Sequence, residues 1–296
     1  MKYKLSKFSD RFFKAVFLLC ALCSVLMLLA ITIFIVEKGV KPFLPGNANG
    51  NYSLFNFLTG DVWKPSQNIF GIGYMAAASA LATAGAIALG VPTGLLTAVF
   101  IAEIANEKLA GIIRPMIELL SGIPSVLYGV FGYAVVAKII RSFSPYHVGD
   151  SLLAVIIILS IMILPTVVSI SEAAIRAVPA AYREAAYGLG ATKTEVIFKT
   201  VIPAAKSGIL AGVVLGTGRA IGETMAVILV AGNPEGGMPG GIFDKVRLIT
   251  NNIVLEQGYA SGMHEEMLFS TGVILFIFIM AVNILLNRLK KRIGET

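Results

Sequence analysis

Residues 209–230 read ILAGVVLGTGRAIGETMAVILV, an apolar run whose length suits a membrane crossing and whose charges are Arg219 and Glu223 alone. An arginine at the centre of a membrane helix costs roughly 2.5–3.5 kcal/mol on insertion scales, so such charges face a bundle interior or a solute path. On an unbroken helix, four residues advance the chain by about 6 Å and just over one turn, which places Arg219 and Glu223 on nearly the same face. Two readings follow. One is a self-neutralising ion pair, although arginine before glutamate is the less favourable order. The other is a charged site presented to a solute.

Outward from this stretch, the composition repeats the membrane signal. Hydrophobic residues make up 56% of the 296 and charged residues 14%, departing from soluble usage in opposite directions. Apolar windows of about twenty residues fall near 15–36, 72–102, 117–140, 151–171, 207–231 and 268–287. The fold class is therefore all-α: a polytopic membrane helical bundle with six transmembrane helices. The net charge of +7 is distributed unevenly. With both termini on the cytoplasmic side, the inner segments hold five Lys/Arg between Lys2 and Lys14, two at Lys108 and Arg114, five from Arg176 to Lys206 and four from Arg288 to Arg292. The outer segments hold seven, namely Lys38, Lys41, Lys64, Lys138, Arg141, Lys245 and Arg247. Basic residues collecting on the cytoplasmic side report orientation, with both termini inside. They do not imply a nucleic-acid partner; the surroundings are membrane lipid.

Other chemistry finds little support. Cys20 and Cys23 have a C-x-x-C spacing but lie inside the first apolar run with no second pair. His147 and His264 lack metal-ligand spacing and read as exposed or locally bonded loop residues. No metal site, nucleophile or acid/base constellation emerges, which argues against an enzyme. The basic start and following apolar run read as a retained signal anchor rather than a cleaved signal peptide. Residues 1–70 then form an anchor span and an outer loop, the latter turn-rich through Pro42, Pro45, Gly46, Gly50 and Pro65 and expected to be irregular. Residues 71–296 form the core.

Small residues recur at close-packing intervals: Gly85, Gly90 and Gly94, then Gly208, Gly212 and Gly216. Gly218 and Gly222 flank the charges, where they either continue the packing or clear space for a solute. Pro92, Pro124 and Pro165 interrupt apolar runs, and such breaks persist where neighbouring helices or a cavity satisfy the freed backbone groups. Ser121, Gly122, Pro124 and Ser125 make the strongest kink or gate element.

Between the fourth and fifth spans, about 179–203, Pro179 suits a helix start and Gly188 and Gly190 its end. Thr192 and Glu195 carry the spacing of a capping box, and Pro203 is expected to stop the second helix. Ala181, Ala185 and Leu189 share one face, and Val196, Ile197, Thr200 and Val201 form a second apolar stripe. Such a two-helix projection suits a groove on a partner.

This block, Glu184-Ala185-Ala186, then Gly190, then Thr200-Val201-Ile202-Pro203, resembles the EAA loop of ATP-binding-cassette importer permeases. The family usually has Ile where Thr200 stands and Leu where Ile202 stands. GTGRAIGETMAV at Gly216 to Val227 and GIPSVLYG at Gly122 to Gly129 resemble the phosphate-importer branch, in a form closer to its PstC-type subunits than to its PstA-type ones. The resemblance runs from about Gly71 to the C-terminus and implies a type I importer permease (MetI-like) architecture in the bacterial cytoplasmic (inner) membrane. It further implies a homologous PstA-type permease, two ATPase subunits using ATP and Mg, and an extracytoplasmic phosphate-binding protein as partners. On that likeness Arg219 and Glu223 belong to the substrate path, and Glu184, Ala185, Ala186, Gly190 and Pro203 to ATPase coupling. No cofactor belongs to this chain itself: Gly188 to Thr194 ends in Lys-Thr like a phosphate loop, but Thr192 replaces the required glycine and no buried strand precedes it.

The chemistry of the pair agrees with a phosphate. A guanidinium matches two oxygens of a tetrahedral oxyanion, and a carboxylate accepts a hydrogen bond from a protonated one. A permease for another oxyanion shares the architecture without the preference for a protonated solute. A secondary transporter or channel, in which Arg219 and Glu223 form a gate, and a non-transporting scaffold are the readings from other classes.

Overall fold

Lipid offers a peptide group no hydrogen-bonding partner, so each crossing segment closes its own bonds as a helix. The computed structural model describes residues 2–47 and 49–294, with side chains at 12–47 and 49–288. The side chains of Lys2 to Arg11 and of Lys290 to Arg292, used above to orient the chain, lie outside that set. Among the described residues, six helices are long and apolar enough to cross a membrane: Phe12–Phe43, Gly73–Ile104, Ser125–Phe143, Leu152–Arg176, Lys193–Gly222 and Met263–Arg288.

In chain order, α1 (Lys2–Val40) leads through a short helix α2 (Leu54–Thr59) and a two-stranded antiparallel ribbon, β1 (Trp63–Lys64) and β2 (Ile69–Phe70), into α3 (Gly73–Val99). An amphipathic helix α4 (Glu107–Gly122) precedes α5 (Ser125–Phe131) and α6 (Ala137–Phe143). Then follow α7 (Leu152–Arg176), α8 (Ala180–Gly188), α9 (Lys193–Glu195), α10 (Ile202–Gly222), α11 (Met225–Ile228), α12 (Ile249–Glu256) and α13 (Met263–Gly294). Wide π-helical turns occupy Phe100–Ile104, Gly132–Val136 and Val196–Val201; the second and third join neighbouring helices without interrupting them, and the first ends the helix begun by α3, at the extended Ala105.

The hub is α7, which buries residues on every side, from Leu152 and Val155 to Ser171 and Ile175. Glycines let its neighbours approach closely. A Cβ at Gly85 would fall 2.5 Å from Ile156 Cδ1, one at Gly90 2.6 Å from Ile163 Cδ1 and one at Gly94 2.9 Å from Val167 Cγ1, so α3 lies directly on α7. On the other flank Gly208 meets Ala174, Gly212 meets Ile170, and Gly216 meets Val167. With hydrocarbon outside, no hydrophobic gain drives this association, and van der Waals contact through small residues holds it.

Four expectations change. The third crossing does not begin near residue 117, because α4 ends at Gly122 and a fresh helix starts at Ser125. The helix of the fifth crossing runs Lys193–Gly222, and the rest of the expected 207–231 run continues past a break as α11. Pro203 does not stop that helix. The preceding π turn pairs the Ile202 amide with the Ile197 carbonyl five residues back, and the widened ladder accommodates the ring and missing donor of Pro203 at the start of α10. The outer loop is ordered rather than irregular: Phe57, Trp63 and Phe70 are fully buried against Ile72, Tyr74, Met75, Ile249 and Met267.

The packing separates two classes of glycine. Gly90→Val forces a side chain against Ile163 and the Ser160 carbonyl, 3.0 Å away, and is expected to destabilise the detergent-solubilised chain by ~1–3 kcal/mol. Gly218→Ala meets nothing within 4 Å and should stay within ~0.5 kcal/mol. Thermal unfolding of the two variants checks the contrast.

Candidate functional site

Arg219 lies on the last turn of α10. Its neighbour Ala220 is buried in a cluster with Ile163 and Val167, near the middle of α7, so the guanidinium belongs to the central depth of the bundle. The side chain is half-buried, and among the described residues it forms no ion pair. Beside it, a Cβ at Gly218 or Gly222 would meet no atom within 4 Å. The glycines of α10 thus divide: those up to Gly216 pack, and the two flanking Arg219 face open space.

Arg219 and Glu223 do not share a continuous helix. The chain turns out of α10 at Glu223, which is extended (φ −72°, ψ 132°), and the two side chains make no salt bridge. Glu223 Oε1 instead accepts the Ala226 amide at 3.1 Å, so the carboxylate caps the short α11. Thr250 Oγ1 donates to the Glu223 carbonyl (3.2 Å). Downstream, Asn233 Nδ2 donates to the Ile228 carbonyl (2.8 Å), and Asn251 Nδ2 donates to Asn233 Oδ1 (2.8 Å). A break at this depth is tolerated only where other groups or a cavity satisfy its backbone, and these side chains do so. The ion-pair reading gives way to an unpaired cation beside a capped break.

A second break faces the first. Gly122 ends α4, Ile123 and Pro124 are extended (ψ 126° and 137°), and α5 begins at Ser125. Proline disfavours helix in the residue before it, which accounts for Ile123. The Tyr128 hydroxyl donates to the Leu120 carbonyl across this break (2.5 Å). One residue further, Gly129 lies so close to α11 that an added Cβ would sit 2.8 Å from the Ala226 carbonyl oxygen. Ser121, Gly122, Pro124 and Ser125 therefore connect, through Tyr128 and Gly129, to the segment that follows Arg219 and Glu223.

The expected coupling residues lie at the opposite end of the bundle. Pro179 precedes α8, Gly190 has φ +84°, and Thr192 and Glu195 form the reciprocal capping box. Glu184 and Ala185 are exposed, Ala186 packs toward the bundle, and Leu189 is 91% exposed at the tip. The stripe of Val196, Ile197 and Val201 faces inward, buried against Ala98, Ile101 and Ile175. The free surface is therefore that of α8, beside a recess of about 400 Å³ lined by Leu189, Gly190, Glu195 and Lys199.

Sequence reasoning missed the ion pairs behind this loop. Arg183 bonds Glu103 (2.6 Å) and the Val178 and Ile175 carbonyls, while Glu172, nearly buried, holds Arg114 and Arg176. Hydrogen bonding to Glu172 raises Arg114 above the ordinary arginine pKa, so its charge is permanent. Glu172 and Arg176 stand four apart in the favourable order, a signal available in the sequence; the partners Arg114 and Glu103 left none. The lobe at the other end of the bundle, around Trp63 and α12, holds a further buried group: Arg247 bonds Glu256, and His264 Nε2 lies 3.2 Å from the same carboxylate. His264 thus lies on the first turn of α13 rather than in a loop, and its buried Nε2 sits against the carboxylate without a hydrogen bond. Cys20 and Cys23 are free and exposed on α1.

Residues 90–295 match the profile of the family described as binding-protein-dependent transport system inner membrane component. Among individual proteins, a probable ABC transporter permease, YqgH of Bacillus subtilis, is 38% identical over 92% of this chain and 89% of its own length. The phosphate transport system permease protein PstC of Pasteurella multocida is 31% identical over 90% and 91%, and PstC of Mesorhizobium japonicum 35% over 81% and 80%. In fold, the chain is similar to a bacterial alginate ABC transporter crystallised with its alginate-bound periplasmic protein, with TM-score 0.68, 17% identity and coverage of 95% and 94%. It is also similar to the inward-facing MetNI methionine ABC transporter, with TM-score 0.56, 18% identity and coverage of 75% and 94%.

The open face beside Arg219 is testable by chemistry. In a chain with Cys20 and Cys23 replaced by serine, Gly222→Cys should react with a water-soluble thiol reagent at least ~tenfold faster than Gly212→Cys, since thiol reactivity follows access and local positive charge. Equal rates would place both positions in the same environment.

Proposed function

Because the chain belongs to the binding-protein-dependent transport system inner membrane component family, we propose that it is a PstC-type permease subunit of an ATP-driven phosphate importer. The observation that carries this reading is Arg219: a guanidinium at mid-bundle depth, without a carboxylate partner among the described residues, beside a face its own chain leaves open. A cation left unpaired in a membrane protein is costly unless an anion or water visits it. Its planar fork of donors suits two oxygens of a phosphate. Glu223 spends Oε1 on the Ala226 amide and has Oε2 to accept from a protonated phosphate oxygen, which fully deprotonated sulfate lacks.

The open face beside Gly218 and Gly222 is where a homologous PstA-type permease closes the conduit. Residues 1–70 supply an anchor span and outer loop, and residues 71–296 the permease core. The chain is a multi-pass component of the bacterial inner membrane with both ends in the cytoplasm, which puts α8 inside and the lobe around Trp63 and α12 outside. A phosphate-loaded binding protein docks on that outer lobe. Two ATPase subunits, which alone use ATP and Mg, take α8 and Leu189, with Glu184, Ala185, Ala186, Gly190 and Pro203 shaping that contact. ATP-driven closure of the ATPases alternates access to the cavity, and the double break at Gly122–Ser125 and Gly222–Thr224 is the part that opens. The chain itself performs no catalysis.

Reconstituted proteoliposomes with and without ATP and binding protein test the assignment. Arg219→Gln should assemble normally yet lose at least tenfold in phosphate uptake, the effect of one charge-assisted hydrogen bond of ~1.5–3 kcal/mol. Near-normal uptake by this variant, inhibition by sulfate or molybdate as strong as by phosphate, or transport without ATP would each reject it. At the other end Gly190→Val forces a branched residue into φ +84°, at a cost of ~1–2 kcal/mol, and should lower the amount of ATPase that co-purifies.

A further inference from the structure

The five charged side chains clustered between α8 and α4 have no part in holding solute, yet they join the ATPase end of the bundle to one of its two helix breaks. Glu172, 7% exposed on α7, accepts with a single oxygen from Arg114 Nε (3.1 Å) and Nη2 (2.7 Å) on α4 and from Arg176 Nε (2.8 Å) on its own helix. Arg176 in turn donates to the Ile101 carbonyl in the π turn that ends the second crossing (3.2 Å). Two residues along that turn, Glu103 receives Arg183 of α8. The same Arg183 bonds the Val178 and Ile175 carbonyls at the foot of α7.

From these contacts we infer that Glu172 is the positioning residue that transmits movement of α8 to α4, and through α4 to the break at Gly122–Ser125. The inference rests on the permease reading above. Three observations support it. First, α4 is weakly held: Ala110 is its one buried residue, with Ile113 and Ile117 partly covered, so the Arg114–Glu172 bond is its strongest tie to α7. Second, α4 runs straight into the break, and α5 beyond it abuts α11 at Gly129. Third, the choice of ions is informative. A buried ion cluster is seldom more stable than apolar packing of the same volume, so static attachment of α4 does not require one. Charge-assisted bonds to half-exposed arginines can instead be exchanged between two arrangements, as a junction in a moving assembly requires.

The test compares Arg114→Gln with the parent in the reconstituted importer. This change leaves Glu172 paired with Arg176, so the bundle retains its buried carboxylate partner. With Cys20 and Cys23 replaced by serine, spin labels at Leu119→Cys on α4 and Ser142→Cys at the far end of α6, both exposed, report α4 displacement on ATP binding. We expect Arg114→Gln to hydrolyse ATP at close to the parent rate, to move at least about fivefold less phosphate per ATP, at the lower end of allosteric couplings, and to lose the nucleotide-dependent distance change. Arg114→Lys, which keeps one charged bond, should retain most of both. Glu172→Gln should follow Arg114→Gln. Parent-like phosphate-to-ATP ratio and parent-like α4 displacement in Arg114→Gln would overturn the inference. A parent complex whose α4 moves on ATP binding but which takes up no phosphate would count against the phosphate assignment alone, and the junction would then be judged by the distance change.

Discussion

A helix that stops inside a membrane leaves peptide groups that lipid cannot satisfy, and the stop at Gly222 organises much of this chain. Glu223 bends its carboxylate onto the Ala226 amide, Thr250 covers the Glu223 carbonyl, and Asn233 covers that of Ile228. Two of these three groups come from the segment between α11 and α13. That segment is fixed in turn by the Ile249 amide on Ser79 of α3, by Asn251 on Asn233 and by the buried Arg247–Glu256 pair. The ordered lobe at this end of the bundle thus does more than cap the helices. It supplies polar groups that pair the Glu223 and Ile228 carbonyls where the backbone turns after Arg219.

The two ends of the bundle are built on different principles. Around the break, side-chain hydrogen bonds to the backbone and close contact at glycines hold a shape: Gly129 against Ala226, Gly132 against Ile158 and Val230. Around α8, charged side chains bridge elements that otherwise touch lightly. Between them α7 is a rigid spacer, buried along its length and gripped on both flanks through glycines. A displacement at one end is carried along such a spacer rather than absorbed by it, because a close-packed interior resists small deformations.

What the sequence revealed, and where it misled, follows from which interactions are local. The six crossings, the start of α8 at Pro179, the turn at Gly190 and the Thr192–Glu195 capping box all depend on residues a few positions apart, and each was legible. The break at Glu223 was not. GETMAV carries no proline and continues an apolar run, and the groups that stabilise the turn include Thr250, which is remote in sequence. Pro203 misled in the opposite sense, because its stop signal is cancelled by a wide turn that composition does not announce. Gly212 and Gly218 look alike in sequence, and only the position of α7 decides that one packs and the other faces space. The Arg114–Glu172 bond joins residues 58 positions apart, and nothing near either one foretells it.

The wide turn at Val196–Val201 has a further geometric meaning. Each residue of an α-helix contributes about 100° of azimuth and 1.5 Å of rise, and a wide turn under-winds by enough to absorb one extra residue and keep the phase of all that follows on the same rod. Deleting a single residue there, and restoring regular winding, would leave the guanidinium of Arg219 pointing much as before, whereas a deletion within the regular turns of α10 would swing it by roughly a quarter of a revolution away from the bare strip of Gly218 and Gly222. The direction of Arg219 is thus set along α10 itself, and the wide turn at its start lets the rod carry one more residue without disturbing it.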